Sequence, residues 1–155
     1  MRRSIALLGL VAAVSMGSGC AEVAKSGFGP ENNLQVVNAQ DTFALSIDNL
    51  LNVYSELSYT WENSEPRARL FHCSFLPHGD SRLVLIDAAG DTVYDRHLLY
   101  RLEGITPVDG EPGDWTVFIG FYGSVGDWAD FMMDATADTA TAGADLKTIC
   151  EGRGR

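Results

Sequence analysis

From Leu34 onward, apolar and polar residues alternate in short runs. Val36 and Val37 form a brief apolar stretch before Asp41. Phe43, Leu45 and Ile47 alternate with Ala44, Ser46 and Asp48, which gives one apolar face at period two. Val53, Ser55, Leu57, Tyr59 and Trp61 oppose Tyr54, Glu56, Ser58 and Thr60. That pattern predicts a long strand with one face inward and one wet, and Tyr54 falls on the wetter face. Residues 68–75 and 82–87 read as further strands, and residues 92–94 start a return strand that 97–102 can continue. Trp115, Val117, Ile119 and Phe121 alternate with Thr116, Phe118, Gly120 and Tyr122, with both faces largely apolar, as in a central strand.

Turn chemistry separates these runs. Glu62-Asn63-Ser64-Glu65-Pro66 and Pro77-His78-Gly79-Asp80 read as turns. Ala88-Ala89-Gly90-Asp91 is the strongest hairpin signal, because Gly90 adopts positive φ at little cost. Residues 106–114 are dense in Pro, Gly, Asp and Glu and read as a loop. Residues 124–135 fit two periods. Trp128, Phe131, Met132 and Ala135 match a short helix, whereas Ala129, Phe131, Met133 and Ala135 match a strand face. The strand is preferred, because every preceding element is β and a sandwich needs a closing partner. The whole predicts an all-β fold, an antiparallel sandwich of about seven to eight strands, jelly-roll or immunoglobulin-like.

The chain before Leu34 is different. Arg2 and Arg3 precede an apolar run from Ile5 to Val14, and Gly17-Ser18-Gly19 lead into Cys20. This is the layout of a secretory signal, too short in its apolar part to span a bilayer. With the cysteine directly after small residues, residues 1–20 resemble a bacterial lipoprotein precursor. The resemblance implies cleavage before Cys20, lipid on its sulfur and amine, and attachment to a membrane. Ala21, in place of an aspartate, leans toward the outer membrane. The alternative is an ordinary signal peptide and a soluble secreted protein. Residues 20–33 show neither period and read as a lipidated N-terminus and flexible tether, with a single domain over 34–155.

Charge narrows the partners. The chain carries a formal net charge of −10. Removing Arg2 and Arg3 with the signal leaves nine cations against 21 acids, a side-chain charge of −12. So acidic a surface repels nucleic acid and anionic headgroups, and no nucleic-acid partner is expected. With Cys20 spent on lipid, Cys73 and Cys150 remain, and an even pair in an exported protein reads as a disulfide. Two free thiols are the alternative. A metal site from His72, Cys73 and His78 is disfavoured, because neighbours on a strand point to opposite faces. His97 has no visible partner.

A second resemblance rests on Asp87-Ala88-Ala89-Gly90-Asp91-Thr92-Val93, followed by Gly113-Asp114-Trp115-Thr116-Val117. Over residues 41–134 the chain is similar to the pre-peptidase C-terminal family of bacterial secreted β-sandwiches. That resemblance implies an accessory domain of secreted hydrolases, although no hydrolase sequence accompanies it here.

Candidate chemistry is sparse. No Gly-x-Ser-x-Gly elbow marks a nucleophile, so no catalytic residue is assigned. Asp87, Asp91 and Asp95 surround one hairpin and are the candidate calcium ligands, although turns favour Asp for local reasons and the spacing differs from the calcium-loop motif. Phe121, Tyr122 and Trp128 flank Gly123 and Gly126, and flat aromatics of this kind stack on sugar rings, so Tyr122 and Trp128 are the candidate ligand-binding residues. The competing role for such rings is core packing. The sequence therefore predicts a lipid-anchored envelope protein without catalytic activity, a binding or structural module whose partner is an envelope protein or a glycan. The alternatives are a carbohydrate-binding module and a secreted hydrolase.

Overall fold

The computed structural model describes residues 25–98 and 101–134. The described residues form eight strands: β1 (Lys25–Ser26), β2 (Gln35–Ala39), β3 (Thr42–Asn63), β4 (Arg67–Phe75), β5 (His78–Ile86), β6 (Thr92–His97), β7 (Arg101–Asp109) and β8 (Gly113–Asp134). A 3-10 turn, Pro30–Asn32, precedes β2. The ladders are antiparallel except for the short β1–β3 pair. The protein is an all-β sandwich, as its alternation predicts.

Its frame is β3 and β8, each 22 residues long and paired along almost their whole length, from Thr42↔Asp134 to Asn63↔Gly113. Both strands serve two half-sheets. Residues 42–48 and 128–134 lie in the order β2-β3-β8-β4-β7. Residues 53–63 and 113–124 lie in the order β1-β3-β8-β5-β6. Residues 124–134 are strand, not helix.

The strands turn the corner between half-sheets where the register breaks, between Leu50 and Val53 and between Val53 and Tyr54. Asn49 and Asn52 have φ of 53° and 51° there, and Gly123 opposite has φ of 66°. Asn tolerates the left-handed region better than other side-chain-bearing residues. Asn32 supplies donors at this bulge. Its buried Nδ2 donates to the carbonyls of Asn49 at 2.9 Å and Asp48 at 3.3 Å, and Asn49 Nδ2 donates back to the Glu31 carbonyl at 3.0 Å. Phe28 meets Phe121 edge-on at 5.4 Å. Residues 25–33 are therefore part of the domain, which corrects the expectation of a tether running to residue 33.

The core fills the space between the half-sheets. Phe43, Leu45 and Ile47 face it from one half of β3, and Val117, Ile119 and Phe121 from one half of β8, with Leu70, Leu83 and Leu85 beside them. Trp61 and Trp115 are register partners and pack edge-on at 5.8 Å. Such a pair contributes about 0.5–1.5 kcal/mol beyond its buried area. A second apolar cluster, Phe71, Cys73 and Trp128 with Phe75 and Met132, lies on the other face of β4 and β8. β7 runs through Pro107 to Asp109, where the sequence reads as loop. Among the described residues β7 pairs only with β4, so the missing proline N–H costs the ladder nothing on its open side.

Candidate functional site

The solvent face of the β3-β8-β5-β6 half-sheet carries a row-by-row set of exposed polar and aromatic side chains. Register sets its rows. Tyr54, Tyr122 and Asp80 lie across β3, β8 and β5. Glu56, Gly120, Arg82 and His97 form the next row, across β3, β8, β5 and β6. Tyr54 is 48% exposed and Tyr122 is 37% exposed.

Glycine makes the tyrosines lie down. A Cβ on Gly120 would sit 2.6–2.8 Å from the Oη, Cζ and Cε2 atoms of Tyr122, so the ring occupies the gap that Gly120 leaves in its row. A Cβ on Gly123 would meet Tyr54 Oη at 2.9 Å. Tyr122 Oη donates to Glu56 Oε1 at 2.6 Å, which anchors the ring between Glu56 and Arg82. That bond to a carboxylate, followed by burial, raises the phenol above its ordinary value of 10.

The flanking charges are paired. Arg82 Nε donates to Asp95 Oδ1 at 2.7 Å, and a second guanidinium nitrogen reaches Asp95 Oδ2. The Arg82 bond holds the Asp95 carboxyl below the usual carboxylate range. His97 Nδ1 shares a hydrogen bond of 2.7 Å with Asp80 Oδ1. Two rings, carboxylate oxygens and guanidinium donors thus share one open surface. Such a set can stack on an apolar ring face and exchange hydrogen bonds with hydroxyls.

The structure places the sequence candidates unevenly. Tyr122 is on this face. Trp128 is not: it is 9% exposed and packs with Phe71 and Cys73 on the other half-sheet. The ring beside Tyr122 is Tyr54. Glu56, Asp80, Arg82 and His97 were not singled out by the sequence. The available signal was Gly120, a glycine inside an otherwise bulky central strand.

The hairpin acids do not form a cation cage. Asp87 Oδ1 accepts the backbone N–H groups of Ala89 at 3.0 Å and Asp91 at 2.9 Å, and Oδ2 accepts that of Glu111 at 2.9 Å. These bonds, led by the one from Glu111, hold its carboxyl below the usual range. Asp95 is taken by Arg82. Among the described residues no group of three or more His, Cys, Asp and Glu side chains is placed to hold a metal ion. Asp87, Asp91 and Asp95, the candidate calcium ligands, are thus not gathered into one metal-holding group in this structure. His72 and Cys73 belong to opposite faces of β4, and His78 is exposed at the start of β5, so they do not converge. Cys73 is fully buried, whereas Cys20 and Cys150 lie outside the described residues.

No family model matches the chain, and no curated protein matches it. Among solved structures, it is similar to the coconut allergen cocosin, at 17% identity with a TM-score of 0.40, over 70% of this chain and 28% of that one. It therefore spans little more than a quarter of the coconut protein. It is also similar to the CBM36-1 domain of a multidomain xylanase from the hindgut metagenome of Trinervitermes trinervoides, at 15% identity and a TM-score of 0.38, over 68% of this chain and 88% of that one. A third similarity is to TmCBM61 in complex with β-1,4-galactotriose, at 16% identity and a TM-score of 0.36, over 64% and 80% of the two chains.

Proposed function

We propose that this chain is a lipid-anchored, non-catalytic module of the bacterial envelope that binds a neutral glycan on the Tyr54–Tyr122 face. The observation that carries the reading is the pair of register-matched, exposed tyrosines laid over glycines of β8 and flanked by Glu56, Asp80 and Arg82. Sugar rings offer an apolar face to such aromatics and hydroxyls to such carboxylates. The chain's net charge of −10 favours a neutral glycan over an anionic one. A binding role is supported by the openness of the face. Glu56, Asp80, Arg82, Asp95 and His97 are exposed and bonded to one another or to Tyr122, with none held in a closed cleft.

Anchoring is supported by the signal layout ending at Cys20. Four residues separate Cys20 from β1, so the lipid-bearing residue stays within about 18 Å of Lys25. Ser26 pairs with Tyr54. An anchored domain would therefore hold this face close to the bilayer, within reach of envelope glycans. Cys73 and Cys150 are proposed to form a disulfide, which a gain of two hydrogens on reduction would reveal and an unchanged mass would exclude.

The decisive experiment is titration of neutral oligosaccharides and affinity electrophoresis in neutral polysaccharides, with Tyr122→Ala and Tyr54→Ala alongside. Binding weakened about tenfold or more in each variant is expected. Binding indifferent to both variants, or no binding across a neutral panel, overturns the reading. Separately, Cys20→Ala should release the chain from membranes, and unchanged fractionation defeats the anchor.

A further inference from the structure

Four polar side chains meet inside the sandwich without satisfying one another. Leu70, His72 and Ser74 are alternate residues of β4 and face the core, with Leu70 in its main cluster. On β6, Tyr94 and Arg96 are register partners of the buried Leu85 and Leu83 and so share their core-facing side. His72 is 1% exposed and Ser74 is fully buried. Both ring nitrogens of His72, Ser74 Oγ and Tyr94 Oη are buried atoms without a hydrogen-bond partner among the described residues. The His72 and Tyr94 rings lie 6.5 Å apart, centre to centre. Buried polar groups in folded proteins are almost always paired, because burying one without a partner is costly. Orphaned atoms gathered in this way mark a seat for a polar ligand.

Arg96 sets the charge of that ligand. Arg67, Arg69 and Arg82 each pair with an aspartate. Arg96 has no carboxylate partner among the described residues, although the chain holds 21 acids against 11 lysines and arginines. It is exposed, and its charge acts on the buried imidazole. We propose that the sandwich interior between β4 and β6 binds a small carboxylate, held by His72, Ser74 and Tyr94 and admitted past Arg96. The donors match the acceptor. A neutral imidazole offers one N–H, each hydroxyl one O–H and the guanidinium a planar fork, and a carboxylate accepts through two oxygens with about four lone-pair sites. A phosphate would bring more oxygens and charge than this set meets, and a cation would be repelled by Arg96. In a chain of net charge −10, an unpaired guanidinium at the entrance supplies the local attraction that an anion needs. The site lies on the core side of the half-sheet whose solvent face carries Tyr54 and Tyr122, so it is separate from the glycan platform.

Titration of the full chain with sodium acetate near neutral pH tests the site, with chloride holding the ionic strength constant. The ring resonances of His72 should shift and saturate, while those of the exposed His78 and His97 stay nearly fixed. Arg96→Gln should weaken acetate binding about tenfold or more, and Tyr94→Phe about threefold or more. Arg96→Lys keeps the charge but loses the fork, so it should bind between the parent and Arg96→Gln. Because Arg96 is exposed, both Arg96 variants should keep the parent's circular dichroism; if Arg96→Gln does not, Arg96→Lys and Tyr94→Phe decide. Tyr122→Ala should leave acetate binding unchanged, which separates this site from the glycan face. His72 resonances indifferent to acetate overturn the proposal and assign the orphaned atoms to ordered water. An equal response in the parent and the deciding variants, or tighter binding of inorganic phosphate than of acetate, overturns it as well.

Discussion

Asp87 Oδ2 accepts the backbone N–H of Glu111 at 2.9 Å, and this bond joins two loops that are far apart in sequence. The other oxygen of Asp87 closes its own hairpin through Ala89 and Asp91. Glu111 in turn accepts the indole N–H of the buried Trp115 at 2.7 Å. One carboxylate therefore organises a turn and fixes the entry to β8. Asp87→Ala leaves three backbone donors without this acceptor. It should lower the thermal midpoint by roughly 5–10 °C. Asp87→Asn should cost less, because its amide keeps one acceptor oxygen. Equal loss in both variants would show that packing, not hydrogen bonding, sets the effect.

The corner of the sandwich predicts an intolerant position. Gly79 sits at φ 89° where β5 slips register against β8. A Cβ there would meet the Gly123 carbonyl oxygen at 2.3 Å and Ser124 Cα at 2.6 Å. Both are backbone atoms of the long strand, so no side-chain rotation relieves the clash. Gly79→Ala should destabilise the fold by about 3 kcal/mol or more, through the clash and the left-handed backbone together. Gly90→Ala is the matched control. It has the same φ of 89° with nothing within 4 Å, so it should cost only about 1 kcal/mol. Urea midpoints of the two variants that coincide would exclude the clash.

His72 predicts an acid sensitivity above the carboxylate range. It is buried on the core side of β4, and neither ring nitrogen has a hydrogen-bond partner. Burial, with the nearby positive charge of Arg96, lowers its pKa from 6.5 to about 4. The folded state thus holds the imidazole neutral while the unfolded chain takes up a proton. Stability is full above about pH 6.5 and falls as the pH drops toward about 4, by about 2–3 kcal/mol. His72→Leu removes both unpartnered nitrogens and should flatten that dependence. The check is denaturant unfolding between pH 7.5 and 4.5. Parallel curves for the two proteins would exclude His72 as the source.

These features differ in how far the sequence revealed them. Alternation at Phe43-Leu45-Ile47 and at Val53 to Trp61 is legible because one face is buried and a slip would expose it. That the two runs are one strand is not legible. The join depends on positive φ at Asn49 and Asn52 and on donors from Asn32, a residue in a stretch without period. The same is true of Phe28, a single apolar side chain whose ring partner Phe121 is remote in sequence. Tyr122 was legible as a flat aromatic beside glycine. Its neighbours Tyr54, Glu56 and Arg82 come from two other strands, and only the register assembles them. Trp128 misled because glycine flanks it too, yet its strand face turns toward Phe71 and Cys73.

The Tyr122–Glu56 bond makes the state of the platform measurable without a ligand. A phenol that donates to a carboxylate keeps its proton to higher pH, since ionisation would place two negative charges side by side. Glu56→Gln removes that charge while keeping an acceptor, so Tyr122 should ionise at lower pH, moving back toward 10. Gly120→Ala acts differently. Its Cβ would press on the ring itself, lifting Tyr122 off β8 and breaking the bond to Glu56. Both variants should lower the phenol's titration midpoint in ultraviolet absorbance at alkaline pH. Gly120→Ala should also weaken glycan binding strongly by displacing the ring, whereas Glu56→Gln should weaken it less, because the ring stays flat and the amide oxygen still accepts hydrogen bonds. Spectral titrations of both variants that overlay the parent's would show that Glu56 does not hold Tyr122 in solution, and the platform would lose its preset geometry.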